Sequence, residues 1–297
     1  MNNFTGTGVA IVTPFNTDYS IDFNSLTNLV EFLIKGGVDY LVVLGTTGES
    51  ATLSKEEKQQ VINHVKSVNN NRLPLVVGIG GNNTHAVISD IQSFDISGYQ
   101  AILSVSPYYN KPTQEGIYQH YKAIAEASPL PIILYNVPGR TNSNVLASTT
   151  LRLANDFKNI IAVKEASGSL EQCMEIIQNK PANFLVISGD DNLTLPILAA
   201  GGNGVISVIA NACPSVFSKM VNAGLKNDMP TARNEHYKVF SITQSIFKEG
   251  NPAGVKELLQ HFKIMNNVVR LPLVNVSNQL SQEIKSLASE HDLFPTA

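Results

Sequence analysis

A lysine sits at the end of an apolar run in "IIAVKEASGSL" (160–170), where the pattern predicts a buried strand. An ammonium group is among the least favourable things to bury, so Lys164 needs a purpose or a partner. In a dry cavity the charged form is disfavoured, which can bring a lysine pKa to roughly 7–8. A neutral amine attacks a carbonyl and forms a Schiff base. The iminium then withdraws electrons, so the adjacent carbon loses a proton and becomes an enamine nucleophile. The competing readings are an ion pair with Glu165 or Asp190, or a side chain that snorkels to the surface. Glu165 follows directly and should face the other side of the strand.

Other polar residues follow apolar runs in the same way. Thr46-Thr47-Gly48 offers two hydroxyls and turn N–H groups that suit a small carboxylate, with Thr46 placed for proton relay; ordinary turn chemistry also explains it. Tyr135, near the end of "LPIILYN", could exchange protons with a carbinolamine, or be a satisfied core tyrosine. Arg140, in "NVPGRT", presents a planar fork to a carboxylate, unless it makes a surface salt bridge. Tyr108 and Tyr109 lie between Pro107 and Pro112 on a stiffened loop suited to packing against a neighbour, though packing within the loop would explain them too.

What must position these groups is a series of short runs rich in Val, Ile and Leu. They cover 8–12, 39–45, 73–80, 99–106, 130–136, 160–166, 184–190 and 204–210. Each is apolar at consecutive positions, as strands buried on both faces of a parallel sheet are. Amphipathic helical segments separate them. One carries Phe23, Leu26, Leu29, Val30 and Leu33 on a stripe and stops at Gly36-Gly37; another opens with Ser54 and Glu57 in capping-box spacing. Further helices start near Thr84, Gln114, Ala147, Ser169, Asn192 and Pro214. Eight strand–helix units in about 225 residues predict an α/β fold, the (β/α)8 TIM barrel, whose catalytic groups lie at the C-terminal ends of the strands. A doubly wound dinucleotide fold would place G-x-G-x-x-G after the first strand, and "VAIVTPFNTD" has none. The expected division is a catalytic barrel over 1–227 and a small all-helical C-terminal region over 228–297, with "VVRLPLVNV" (268–276) as a connector.

The 297 residues are 43% hydrophobic and 15% charged, with a formal charge of -3, so neither nucleic acid nor an anionic membrane is a suggested partner. No apolar run approaches a bilayer span, and no export signal is visible at the N-terminus. Cys173 and Cys213 lack metal or CxxC spacing and read as small buried hydrophobes in a reducing compartment. The expectation is a soluble cytoplasmic protein. There is no H-E-x-x-H, G-x-S-x-G or P-loop motif, and the six His residues are scattered, with His64, His120 and His261 on helix faces.

"GTTGES", "PYYNKPTQEG", "LYNVPGRT", "AVKEASG", "SGDD" and "GGNGVISVIAN" occur together and in order. In this the chain resembles the 4-hydroxy-tetrahydrodipicolinate synthase (dihydrodipicolinate synthase) family of the pyruvate-dependent lysine aldolases, from about Gly8 through "NPAGVKELL" and "VRLPLV". The resemblance implies condensation of pyruvate with aspartate-4-semialdehyde in diaminopimelate and lysine biosynthesis. Lys164 would be the Schiff-base lysine. Thr46, Tyr135 and Tyr109 would be the proton relay, with Tyr109 supplied by the neighbouring subunit of a tight dimer. Thr47 would hold the pyruvate carboxylate, and Arg140 the carboxylate of the second substrate. Gly189 and the backbone of Ile206 would line the pyruvate pocket. The family implies a homotetramer built as a dimer of dimers, and no metal or organic cofactor.

Relatives inhibited by lysine bind it near matches for Ser50, Ala51, Asn82 and Tyr108, which are kept. Where such relatives commonly have histidines and a glutamate, this chain has Lys55, Lys58 and Ala86, so weak lysine feedback is expected. The nearest alternative is N-acetylneuraminate lyase or a keto-sugar-acid aldolase of the same superfamily. Those relatives commonly carry Ser-Thr in place of Thr46-Thr47 and lack the match to Arg140. A non-catalytic barrel that binds a keto acid is the alternative of another class.

Overall fold

The computed structural model describes residues 4–294. Eight strands, β1 (Gly6–Ala10), β2 (Tyr40–Val43), β3 (Leu75–Gly78), β4 (Ala101–Val105), β5 (Ile132–Asn136), β6 (Ile160–Glu165), β7 (Leu185–Ser188) and β8 (Gly204–Ser207), close in sequence order into a barrel. Every pairing is parallel, including the closing one between β1 and β8. The helices are α1 (Phe23–Lys35), α2 (Lys55–Asn69), α3 (Thr84–Ser93), α4 (Gln114–Ala127), α5 (Pro138–Thr141), α6 (Ala147–Asp156), α7 (Leu170–Asn179), α8 (Thr194–Ala199), α9 (Pro214–Leu225), α10 (Met229–Phe247), α11 (Ala253–His261) and α12 (Asn278–Glu290). This is the (β/α)8 TIM barrel with a C-terminal helical addition, α10 to α12.

The continuous apolar runs divide by period two, because successive side chains of a strand point to opposite faces. Ala10, Tyr40, Val42, Val76, Ala101, Leu103, Ile133, Ala162, Leu185, Ile187 and Ile206 form the core inside the barrel. Val9, Leu41, Val43, Leu75, Val77, Ile102, Ile132, Leu134, Val163, Val186 and Val205 belong to the larger core between sheet and helices. The barrel floor is filled by aromatic rings. Tyr40 packs edge-on to Phe4 with ring centres 5.5 Å apart, and its hydroxyl donates to Val205 O at 3.2 Å. Gly8 is required there, since a Cβ at that position would collide with the Tyr40 ring.

Local chemistry sets the helix starts. Ser54 and Glu57 complete the capping box of α2, and Asp22, Asn83, Thr113 and Ser169 cap α1, α3, α4 and α7 through their side chains. Two expectations are revised. The first strand begins at Gly6, two residues early, and the end of its run leaves the ladder: Val12 N donates to the Asn211 side chain at 3.1 Å instead. The segment from Asn192 opens as a 3₁₀ turn at Asp191–Leu193 before α8, and the one-turn helix α5, led by Pro138, was not anticipated.

Among the described residues no helix is long and apolar enough to cross a membrane. Cys173 and Cys213 are buried free thiols, and burial pushes both up to about 12, so neither is a thiolate at neutral pH.

Candidate active site

The alternation that builds the barrel decides which way Lys164 faces. Ala162 points inward, so Lys164 does too, one layer nearer the C-terminal mouth, while Val163 and Glu165 point to the helices. Lys164 is 5% exposed, and its Nζ lies 4.2 Å from the centre of the Tyr135 ring. Tyr135 is its register partner on β5, likewise buried inside the barrel.

Neither carboxylate proposed as a partner is engaged with it. Glu165 accepts from Asn136 Nδ2 at 3.0 and 3.1 Å, from Gln172 Nε2 at 2.9 Å and from Ser167 N at 2.7 Å, all behind the sheet. Asp190 caps the following turn by accepting from Asn192 N and Leu193 N. Lys164 makes no ion pair or hydrogen bond with any described residue. Gly189 gives the lysine its space: a Cβ there would lie 3.1 Å from Lys164 Cε and Cγ and 2.6 Å from Ala166 Cβ.

The other predicted residues follow the C-terminal ends of the strands, at the same end of the barrel. Thr46 and Thr47 form a 3₁₀ turn after β2, Thr46 exposed and Thr47 buried. Thr46 and Tyr135 line one cavity of about 100 Å³. Ile206, inside the barrel, precedes a loop pinned by Asp191, whose buried carboxylate accepts from Val208 N and Ile209 N at 3.0 Å. Burial raises the pKa of that carboxyl. Arg140 is exposed on α5, and its guanidinium has no partner among the described residues. Tyr109 is 88% exposed with φ 74° and Tyr108 is 41% exposed, on the loop between β4 and α4. The structure therefore groups Lys164, Tyr135, Thr46, Thr47, Gly189 and Ile206 at one end of the barrel and leaves Tyr109 facing outward.

The backbone bears strain here. Leu44, Glu49 and Tyr109 all have positive φ, at 60°, 53° and 74°. A left-handed non-glycine residue costs on the order of 1 kcal/mol, and such residues cluster where a site over-determines the backbone.

The feedback positions also converge. Ser50 and Lys58 line the same cavity as Thr46 and Tyr135, and Asn82 Nδ2 donates to Tyr108 O at 3.2 Å; Ala51 is exposed. One expectation changes. A carboxylate does reach this region: Asp90, one helical turn beyond Ala86, lines the cavity and pairs with Lys55 at 2.8 Å. Lys58 stays unpaired among the described residues, so the three groups together carry one net positive charge.

Sequence reasoning overlooked Asn251, just before α11, whose Nδ2 donates to Thr47 Oγ1 at 3.0 Å and whose buried Oδ1 has no partner among the described residues. Its only trace was the "NPAGVK" stretch, which carries no local pattern tying it to the rim. The histidines belong elsewhere: His120 bonds Thr84 behind the sheet and burial pushes it down to about 4, while His64 bonds Thr27. Among the described residues no group of three or more His, Cys, Asp or Glu could hold a metal ion.

Comparison with known proteins adds a family. Residues 3–291 match the model of the dihydrodipicolinate synthetase family. A Flavobacterium psychrophilum protein named 4-hydroxy-tetrahydrodipicolinate synthase is 57% identical over 284 residues, covering 96% of this chain and 97% of that protein. The structure of the chloride-inhibited dihydrodipicolinate synthase from Acinetobacter baumannii complexed with pyruvate superposes with a TM-score of 0.94 at 39% identity, covering 97% of this chain and 99% of that one. A monomeric variant of dihydrodipicolinate synthase, the first characterised, superposes with a TM-score of 0.95 at 37% identity, covering 98% of each chain.

Proposed function

The chain belongs to the dihydrodipicolinate synthetase family, and from that premise we propose that it condenses pyruvate with L-aspartate-4-semialdehyde through a Schiff base on Lys164. The observation that carries the reading is an unpaired lysine amine inside the C-terminal mouth of a barrel, packed against a tyrosine. The amine adds to the pyruvate carbonyl, and the carbinolamine loses water to give the imine. Loss of a methyl proton gives the enamine, whose carbon attacks the aldehyde. Cyclisation of the second substrate's amino group onto the imine carbon then frees Lys164.

The reading gives the neighbours the roles that the family resemblance implies. Thr47, buried beside Lys164's end of the barrel, receives the pyruvate carboxylate with the turn N–H groups, and Gly189 and the Ile206 backbone line the pocket. Tyr135 and Thr46 pass protons. Tyr109 completes the relay in a neighbouring subunit: its exposure on a strained loop suits delivery across a tight dimer, and we place that dimer within a tetramer. Arg140's free fork takes the carboxylate of the semialdehyde. The reaction needs no metal or organic cofactor, and we assign the enzyme to the cytoplasm.

Pyruvate plus borohydride should reduce the imine and leave a stable adduct on Lys164, found by peptide mapping. Turnover with pyruvate and aspartate semialdehyde, and none with N-acetylneuraminate, separates the synthase from the lyase reading. An unlabelled Lys164 would overturn the proposal.

Feedback by lysine should be weak. A ligand with its own ammonium meets an unpaired Lys58, and Asp90, the one carboxylate lining that cavity among the described residues, is already spent on Lys55. Millimolar lysine is expected to leave most activity in place, and Ala86→Glu combined with Lys58→His should strengthen inhibition by about tenfold, roughly 1.4 kcal/mol of coupling. Near-complete inhibition of the parent at low lysine would refute this.

A further inference from the structure

The C-terminal helical region reaches the active-site rim through one charged pair with no access to solvent. Lys256, on α11, is bonded to the Glu49 carboxylate, and the side chains are 0% and 1% exposed. The other Glu49 oxygen accepts from Arg270 N at 3.0 Å, and Lys256 also donates to Val268 O at 2.8 Å. Its Nζ lies 4.3 Å from the centre of the Phe15 ring, and the Arg270 guanidinium covers the same ring at 4.4 Å. Arg270 in turn forks onto Glu57, which caps α2. The loop from β2 to α2 is thus gripped at both ends by residues more than 200 positions away.

Taking both charges out of water is expensive, and an apolar pair of similar volume would serve stability as well or better. What a buried ion pair adds is a fixed direction. Glu49 is where that matters, because its left-handed backbone ends the turn: Glu49 N donates to Thr46 O at 3.1 Å, and Thr47 lies two residues before it. Displacing Glu49 displaces both threonines.

We propose that Lys256 and Glu49 are positioning residues, a strut by which α11 holds the Thr46-Thr47 turn where the pyruvate carboxylate is received. This rests on the pyruvate reading above. The strut acts on the first substrate and not the second, since Arg140 stands on α5, across the mouth and outside the gripped loop.

The test uses the full-length Lys256→Met and Glu49→Gln variants, with melting temperature, steady-state kinetics for each substrate, and the pyruvate concentration giving half-maximal borohydride trapping. In folded variants the pyruvate KM and the trapping midpoint should rise by about tenfold, since a shift near 1 Å can cost as much as a hundredfold, while the semialdehyde KM stays within about twofold. Should a single variant fail to fold, the double variant Lys256→Met/Glu49→Gln removes both charges together and restores folding, and the raised pyruvate KM should persist in it. A folded variant with parental pyruvate KM overturns the strut, as does a failure of the double variant to fold, which makes the pair purely structural. Absence of trapping in the parent protein would instead strike the Schiff-base reading itself.

Discussion

Replacing Lys164 by alanine is expected to lower kcat by about 10⁴-fold or more, since in the proposed mechanism it removes the nucleophile itself and not a group that assists one. Borohydride trapping with pyruvate should vanish in the same variant. The fold should survive. The amine has no carboxylate partner, so its removal orphans no buried charge, unlike the loss of one member of the Glu49–Lys256 pair. The stem lies beside Gly189, where a Cβ would be 3.1 Å from its Cγ and Cε, and it carries no hydrogen bond that the backbone depends on. Circular dichroism and melting temperature should therefore stay near the parent's while turnover is lost. A variant that retains more than about a hundredth of the parent's kcat would place the chemistry on another group.

Tyr135→Phe comes next in size. The ring that packs on the lysine is kept, so the contact at 4.2 Å remains and only the hydroxyl is lost. Proton transfer by a placed side chain is worth about 10²–10⁴-fold, so kcat should fall by about 10²-fold or more, or at least roughly 2.7 kcal/mol. The two variants differ in a way that identifies roles. Lys164→Ala forms no adduct at any time, whereas Tyr135→Phe should form the same adduct slowly and to full extent. A time course of trapping, followed by mass, reads the difference. Equal trapping rates in Tyr135→Phe and parent would remove the tyrosine from the relay.

How much of this was legible in the residues depends on range. The inward placement of Lys164 and the outward placement of Glu165 follow from period two, once "IIAVKEA" is taken as a strand, because that rule is local to one strand. The neighbourhood of Tyr135 follows from the closed barrel, which sets β5 beside β6 in known order. Capping of α2 was readable for the same reason, since Ser54 and Glu57 are three apart. The contacts from Asn251 to Thr47 and from Lys256 to Glu49 span 204 and 207 positions. No periodicity links such residues; only the docking of α11 on the rim brings them together. Asp90 was missed for a related reason. It stands one turn of α3 beyond Ala86, and only the path of Lys55 across the gap brings it into the cavity region.

The plug of Tyr40 and Phe4 beneath the lysine has a kinetic corollary. A barrel stoppered at its base has a single doorway, so arriving reagents and departing product must take turns. Whatever anchors first lies deepest and blocks nothing behind it; the later arrival stacks above and must clear out before the cycle can restart. Joined to the proposed adduct on Lys164, the closed floor predicts ordered entry, with pyruvate fixed first and the semialdehyde arriving above it.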